Sequence, residues 1–142
     1  MKRVKDVLAV KGHDVCSIEP DASVYDAMKL MADKEIGALM VIEGGNLVGI
    51  ISERDYARKV ILKGRSSKST QVKEIMTTRV VYTHPQQNIE ECMAVMTEKR
   101  VRHLPVMDEG RLVGVISIGD LVKSIISEQK FIIEQLERYI RG

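Results

Sequence analysis

Shifted by 65 positions, the chain falls on itself. Leu39, Val41, Gly45, Leu47, Val48, Gly49, Ile51, Ser52, Asp55 and Ile61 coincide with Leu104, Val106, Gly110, Leu112, Val113, Gly114, Ile116, Ser117, Asp120 and Ile126. The match continues upstream, where Pro20, Met28, Met31 and Lys34 meet Pro85, Met93, Met96 and Lys99. At an offset of 68, Val4-Lys5 meets Val72-Lys73, so the first copy carries about three more residues near "VKGHD". Self-similarity at a fixed period denotes one structural unit used more than once. A unit of roughly 60 residues buries too little surface to stand alone easily, so the two copies are expected to pack together.

Each copy reads as β-α-β-β-α. A short strand over residues 15–18, or 80–83, leads through a proline-containing turn into a helix. Val24, Ala27, Met28 and Met31 form its apolar stripe in the first copy, and Ile89, Cys92, Met93 and Met96 in the second, at i, i+3, i+4 and i+7. The methionines read as core. Two β-rich runs follow, "ALMVI" and "NLVGII" joined by "EGG", then "LPVM" and "RLVGVI" joined by "DEG", which is hairpin chemistry. "RDYARKVIL" and "DLVKSII" close the units as second helices. The expected fold class is therefore α/β (α+β), two β-α-β-β-α repeats packed with pseudo-twofold symmetry plus a C-terminal helix. The repeats are placed at 1–62 and 72–127, with a polar, aperiodic linker at 63–71 and a helical tail at 128–142. The linker has glycine and serines but no GxxxxGK[ST] phosphate loop.

Composition narrows the function classes. Lys plus Arg number 22 against 20 Asp plus Glu, a net charge of +2, too balanced to point to nucleic acid or an anionic membrane. The apolar runs are shorter than the ~18 residues of a membrane helix, and no secretory signal is evident, so the expected location is cytoplasmic. Cys16 and Cys92 form no CxxC pair and read as small buried hydrophobes. His13, His84 and His103 lack HxxxH or HExxH spacing, so no metal is expected. No nucleophile, base and acid stand apart from the repeat, so the chain is read as having no catalytic residues.

The step from strand to helix, "GIISERD" and "GVISIGD", ends both hairpins in Ser-x-x-Asp. This is a capping-box pattern: the serine oxygen accepts from a first-turn N–H while the acidic side chain answers the cap residue's own N–H. The same helix start favours anions, and a carboxylate is suited to accept from ribose hydroxyls. Gly49 and Gly114 in the preceding strands permit close approach to the backbone, by a ligand or at a bulge. Capping and ligand binding are compatible.

With "VRHLPV" before the second hairpin and "VKDVL" and "VKEIM" opening the copies, the paired signatures resemble tandem cystathionine-β-synthase (CBS) domains over roughly residues 1 to 127. The resemblance implies a Bateman module, a regulatory pair whose clefts bind adenosine ligands such as AMP, ADP, ATP, NAD or S-adenosylmethionine. It implies that Asp55 and Asp120 hold ribose hydroxyls, with Ser52 and Ser117 near phosphate. It also implies a homodimer. Enzymes of the family, such as inosine monophosphate dehydrogenase, carry the pair beside a separate catalytic domain.

The copies differ where a ligand would be told apart. Arg54 becomes Gly119, whereas Gly37-Ala38 become Arg102-His103. Arg54, Arg102 and His103 are candidates for making one cleft the better polyphosphate or dinucleotide site, with surface solvation of the arginines and a structural role for His103 as alternatives. The tail "SEQKFIIEQLERYIRG" carries an apolar stripe that either packs on its own module or joins a second copy. Three functions compete: a nucleotide-binding regulatory module, a structural dimerisation module with empty clefts, and an enzyme.

Overall fold

The computed structural model describes residues 2–141. The repeat organises it into six helices and five strands among those residues. From the first copy come β1 (Ser17–Ile18), α2 (Val24–Lys34), β2 (Ala38–Glu43), β3 (Asn46–Ser52) and α3 (Glu53–Lys59), followed by a 3-10 turn at Ile61–Lys63. From the second come α5 (Ile89–Lys99), β4 (His103–Asp108), β5 (Arg111–Ser117) and α6 (Ile118–Arg141). Two helices open the copies, α1 (Val4–Lys11) and α4 (Val72–Ile75).

The hairpins follow their sequence signals closely. β2 and β3 pair antiparallel from Ala38 opposite Ser52 to Glu43 opposite Asn46, and β4 and β5 from His103 opposite Ser117 to Asp108 opposite Arg111. Both turns need positive φ at two successive residues, supplied by Gly44-Gly45 and by Glu109-Gly110. Both hairpins shift register at the same place, between Val41 and Ile42 and between Val106 and Met107.

One expected strand does not form. In the first copy β1 lies parallel to β2, and the Met40 N–H donates to the Cys16 carbonyl at 3.1 Å. In the second copy residues 80–83 leave only an isolated parallel bridge between Thr83 and Val106. The residue equivalent to Met40 is Pro105, which has no N–H to give to a neighbouring strand. Its carbonyl still accepts from Thr83 N at 2.9 Å.

The compact units of the fold divide the chain differently from the sequence repeat. One unit comprises residues 1–13 and 82–142, the other residues 14–81. Helix α1 therefore packs with the second copy. Val4, Val7 and Leu8 are buried there, and the Val4 and Lys5 amides donate to the Gln87 and Pro85 carbonyls at 2.9 Å. Helix α4 packs correspondingly with the first copy: Val72 N donates to Ala22 O at 2.8 Å and Lys73 N to Pro20 O at 3.0 Å.

The core of the 14–81 unit joins Val24, Ala27, Met31, Leu39, Val41, Ile51, Val60, Val72 and Ile75. The stripe residues of α2 thus face apolar neighbours, as their spacing requires. In the other unit Ile89, Cys92 and Met96 are buried along α5 with Leu104, Val106, Ile116 and Leu121. Met28 and Met93 are only half-buried, as is Cys16. Residues 63–71 are tied to the start of α2, with Val24 N donating to Thr70 O and Tyr25 N to Ser67 O.

The C-terminal tail is not a separate element. α6 runs without a break from Ile118 to Arg141, because the sequence offers no glycine or proline after Gly119 until the terminus. In the first copy, by contrast, Gly64 takes a left-handed conformation with φ of 66° and stops the chain after the 3-10 turn.

Candidate functional site

Each Ser-x-x-Asp step forms the expected reciprocal cap. At the start of α3, Asp55 N donates to Ser52 Oγ at 3.2 Å, while Ser52 N donates to Asp55 Oδ2 at 3.0 Å. At the start of α6, Asp120 N donates to Ser117 Oγ at 3.2 Å, and Ser117 N to Asp120 Oδ2 at 2.8 Å. The local sequence suffices for both, since the pattern satisfies the otherwise orphaned amides of a helix start.

What differs is what else reaches the carboxylates. Asp55 has both oxygens engaged: Ser52 Oγ donates to Oδ2 at 3.1 Å, and Oδ1 receives Thr77 Oγ1 at 3.2 Å and Lys59 Nζ at 3.1 Å. Its side chain is 11% exposed. Among the described residues Asp120 accepts its hydrogen bonds on Oδ2, from Ser117 N and from Lys11 Nζ at 2.6 Å, and its side chain is 20% exposed. Oδ1 is left to accept. Burial pushes the Asp120 carboxyl up, but the bonds from Lys11 and from the Ser117 amide outweigh it and hold the group below its usual 3.8.

Lys11 was not among the residues singled out from sequence. It ends α1 and also donates to the Val115 carbonyl at 2.7 Å, and His13 Nδ1 donates to the Val113 carbonyl at 2.8 Å. Both residues lie in the short "VKGHD" excess of the first copy. That excess was the available signal, but it pointed to no partner until the fold set α1 beside β5. In the 14–81 unit the corresponding place is taken by Thr77, whose N–H and carbonyl exchange bonds with Ile50 at 2.8 and 3.0 Å.

The remaining candidates divide between the units. Arg102 and His103 are brought to the Ser117 step by pairing, since His103 lies opposite Ser117 and Ile118 N donates to Arg102 O at 2.9 Å. Arg102 is exposed and His103 half-buried. Arg54, exposed in the first turn of α3, belongs with Ser52 and Asp55 in the other unit. There Glu53 N meets Gly37 O at 3.1 Å, and an open recess lined by Met28, Met31, Ile36, Gly37 and Glu53 adjoins the step. Lys11 thus meets the Asp120 carboxylate directly, and strand pairing sets the backbone of Arg102 and His103 beside the same step.

Close approach at the two glycines is made by the chain itself. A Cβ on Gly114 would lie 2.8 Å from Leu8 Cδ2, and one on Gly49 would lie 2.8 Å from Met76 Sδ and 3.0 Å from the Thr77 carbonyl oxygen. Each glycine also borders the register shift of its hairpin, opposite Val106 or Val41. Among the described residues no group of three His, Cys, Asp or Glu side chains is placed to hold a metal ion, and no helix is long and apolar enough to cross a membrane.

Comparison with known proteins adds the family context. The CBS domain family matches twice, over residues 4–62 and 72–127. The chain is 39% identical to the mitochondrial CBS domain-containing protein CBSX3 of Arabidopsis thaliana, over 98% of this chain and 72% of that protein. A putative signal-transduction protein with CBS domains from Burkholderia ambifaria superposes with a TM-score of 0.87 at 54% identity, covering 90% of this chain and 96% of the other. The CBS domain pair of protein MJ0100, solved in complex with 5′-methylthioadenosine and S-adenosyl-L-methionine, superposes with a TM-score of 0.80 at 25% identity, covering 90% and 98%.

Proposed function

For a chain that belongs to the CBS domain family, we propose a regulatory, non-catalytic role: binding of an adenosine-containing ligand at the Ser117–Asp120 corner. The observation that carries this reading is the half-engaged carboxylate of Asp120. Its Oδ2 is committed to the cap and to Lys11, which fixes the group, while Oδ1 accepts no hydrogen bond from the described residues. A carboxylate held in this way is prepared to accept from the vicinal hydroxyls of a ribose. Ser117 and the first amides of α6 then lie where a phosphate would be favoured.

The complex of MJ0100 supports the adenosine part of the reading, since both of its ligands carry that group. The charges at this corner favour a particular class within it. Lys11 and Arg102 would attract the phosphates of AMP, ADP, ATP or NAD, with His103 as a further hydrogen-bonding group, and the two cations would disfavour the sulfonium of S-adenosylmethionine. Asp55, with both oxygens already engaged, makes the Ser52–Asp55 corner the weaker site, and Arg54 would serve there.

Thermal denaturation with AMP, ADP, ATP, NAD and S-adenosylmethionine tests the proposal. A ligand at a hundred times its dissociation constant adds about 2.7 kcal/mol of stability. The expected result is a shift with a phosphate-bearing ligand that Asp120→Ala abolishes and Asp55→Ala largely keeps. A shift that survives Asp120→Ala would move the site elsewhere, and no shift with any ligand would favour a purely structural module.

A further inference from the structure

The near balance of charge over the whole chain conceals a steep local excess. Residues 54–73 hold seven Lys or Arg against a single Asp, a net +6 in a chain whose total is +2. Part of the excess is answered locally: Lys59 pairs with Asp55 at 3.1 Å, Arg65 with Glu74 at 2.6 Å and Lys73 with Asp21 at 3.0 Å. Arg58, Lys63 and Lys68 form no ion pair among the described residues, and the Lys68 ammonium lies 5.1 Å from the centre of the Tyr25 ring.

Between Arg58 and Lys63 the chain exposes an apolar tip. Val60 caps α3 and is buried, and Gly64 turns the chain back so that the Arg65 amide donates to the Val60 carbonyl at 3.0 Å. The two residues at the head of that loop are left outside the core, Ile61 at 59% and Leu62 at 75% exposure. A single exposed apolar residue is ordinary, but two adjacent aliphatic side chains bracketed by unpaired cations make an amphipathic surface.

The equivalent part of the second copy carries no such surface. There the offset of 65 puts Ser127 in place of Leu62 and Glu128 in place of Lys63, and residues 119–138 hold three Lys or Arg against four Asp or Glu. The repeat itself therefore does not require a basic apolar tip.

We infer that this tip docks on an anionic lipid bilayer, with Ile61 and Leu62 entering the headgroup layer, Arg58 and Lys63 set against anionic headgroups, and Lys68 adding to the local field. Both halves of the surface decide for that partner. An anionic leaflet attracts each cation through its surface potential, and the aliphatic pair gains where hydrocarbon lies just beneath the charge. Nucleic acid offers the charge without the hydrocarbon, and the two tyrosines of this region are poorly placed to stack on bases: the Tyr25 ring already carries the Lys68 ammonium and Tyr56 is half-buried. Two aliphatic side chains bury less apolar surface than one acyl chain, so the contact is weak and reversible.

Flotation of the full chain with vesicles of phosphatidylcholine, or of phosphatidylcholine mixed with phosphatidylserine, reads the contact directly. The expected result is binding to the mixed vesicles at low salt, none to phosphatidylcholine alone, and release in about 1 M salt, where the Debye length is about 3 Å. Leu62→Ser should weaken binding about tenfold through lost apolar insertion, and Arg58→Glu and Lys63→Glu about fivefold or more each. Lys123→Glu, at the position equivalent to Arg58 in the second copy, should leave binding unchanged. All four side chains are exposed, so circular dichroism and urea unfolding should match the wild type. Absence of binding to the mixed vesicles, or binding indifferent to Leu62→Ser, would overturn the inference. Equal weakening by Lys123→Glu would overturn the tip as the site, leaving net charge alone. A preference for single-stranded RNA over the mixed vesicles would overturn the bilayer as the partner.

Discussion

Lys11 Nζ stands 2.6 Å from Asp120 Oδ2, joining the last residue of α1 to the first turn of α6 across 109 positions of sequence. Lys11 also holds the Val115 carbonyl at 2.7 Å, so one ammonium group ties the opening helix to the end of β5 and to the carboxylate after it. The Ser117–Asp120 corner is therefore built by α1 together with the β5–α6 step.

Replacing Lys11 by Ala should cost less than about 1 kcal/mol of stability, since its side chain is 36% exposed and solvent screens the pair. Its larger effect should fall on ligands. Titration calorimetry should show ATP weakened roughly tenfold or more, the scale of one hydrogen bond to a charged group, with adenosine changed far less. Equal weakening of both would remove Lys11 from contact with phosphate.

The lowered Asp120 carboxyl fixes the sign of a pH effect. Unfolding returns this group to its ordinary value of 3.8, so the ion pair and cap contribute stability above that value. The contribution is lost as the pH falls from 3.8 through the lower folded value. Denaturant titrations across this acid range should show the wild type losing more stability than Asp120→Asn. Parallel curves for the two proteins would count against the pair.

Neither Gly49 nor Gly114 can take a Cβ without movement. At Gly114 the obstacle is the end of the buried Leu8 side chain, whereas at Gly49 it includes the Thr77 carbonyl, which is held by Ile50. Gly49→Ala and Gly114→Ala should each destabilise by about 1–3 kcal/mol in urea unfolding, with Gly49→Ala the worse of the two. A neutral Gly49→Ala would show that Met76-Thr77, just after α4, yields more easily than this packing implies.

Deleting residues 2–11 should loosen the second copy rather than the first. Val4, Val7 and Leu8 are buried against elements of the 82–142 segment, and losing one large core side chain typically costs about 2–5 kcal/mol. Hydrogen exchange should accelerate in β4 and β5 while β2 and β3 keep their protection. The opposite pattern would assign α1 to its own sequence repeat.

Much of this molecule is legible in its sequence. The hairpins, the α2 and α5 stripes and both capping boxes are set by neighbours within a few residues, where side-chain period, turn chemistry and orphaned amides act directly. The missing strand at 80–83 was also written locally, in Pro105, although its consequence depends on which strand would have paired there. The continuous α6 likewise follows from the lack of a breaker after Gly119.

The long-range partners were not legible. Nothing near Ser117 or Asp120 announces Lys11, and nothing near Gly114 announces Leu8, because these meetings depend on α1 leaving its own repeat to pack with the other. The sequence by itself determined two repeats, each with a strand-to-helix step ending in a capped aspartate, since those features arise from local periodicity and hydrogen bonding. Only the tertiary structure decided how unequal the two aspartates are: beyond the local i,i+4 pair with Lys59, Thr77 engages the Asp55 oxygen that the cap leaves, whereas Lys11 shares a single oxygen of Asp120 with the cap. Chain segments distant in sequence set that difference, and local patterns carry no information about which distant segment arrives.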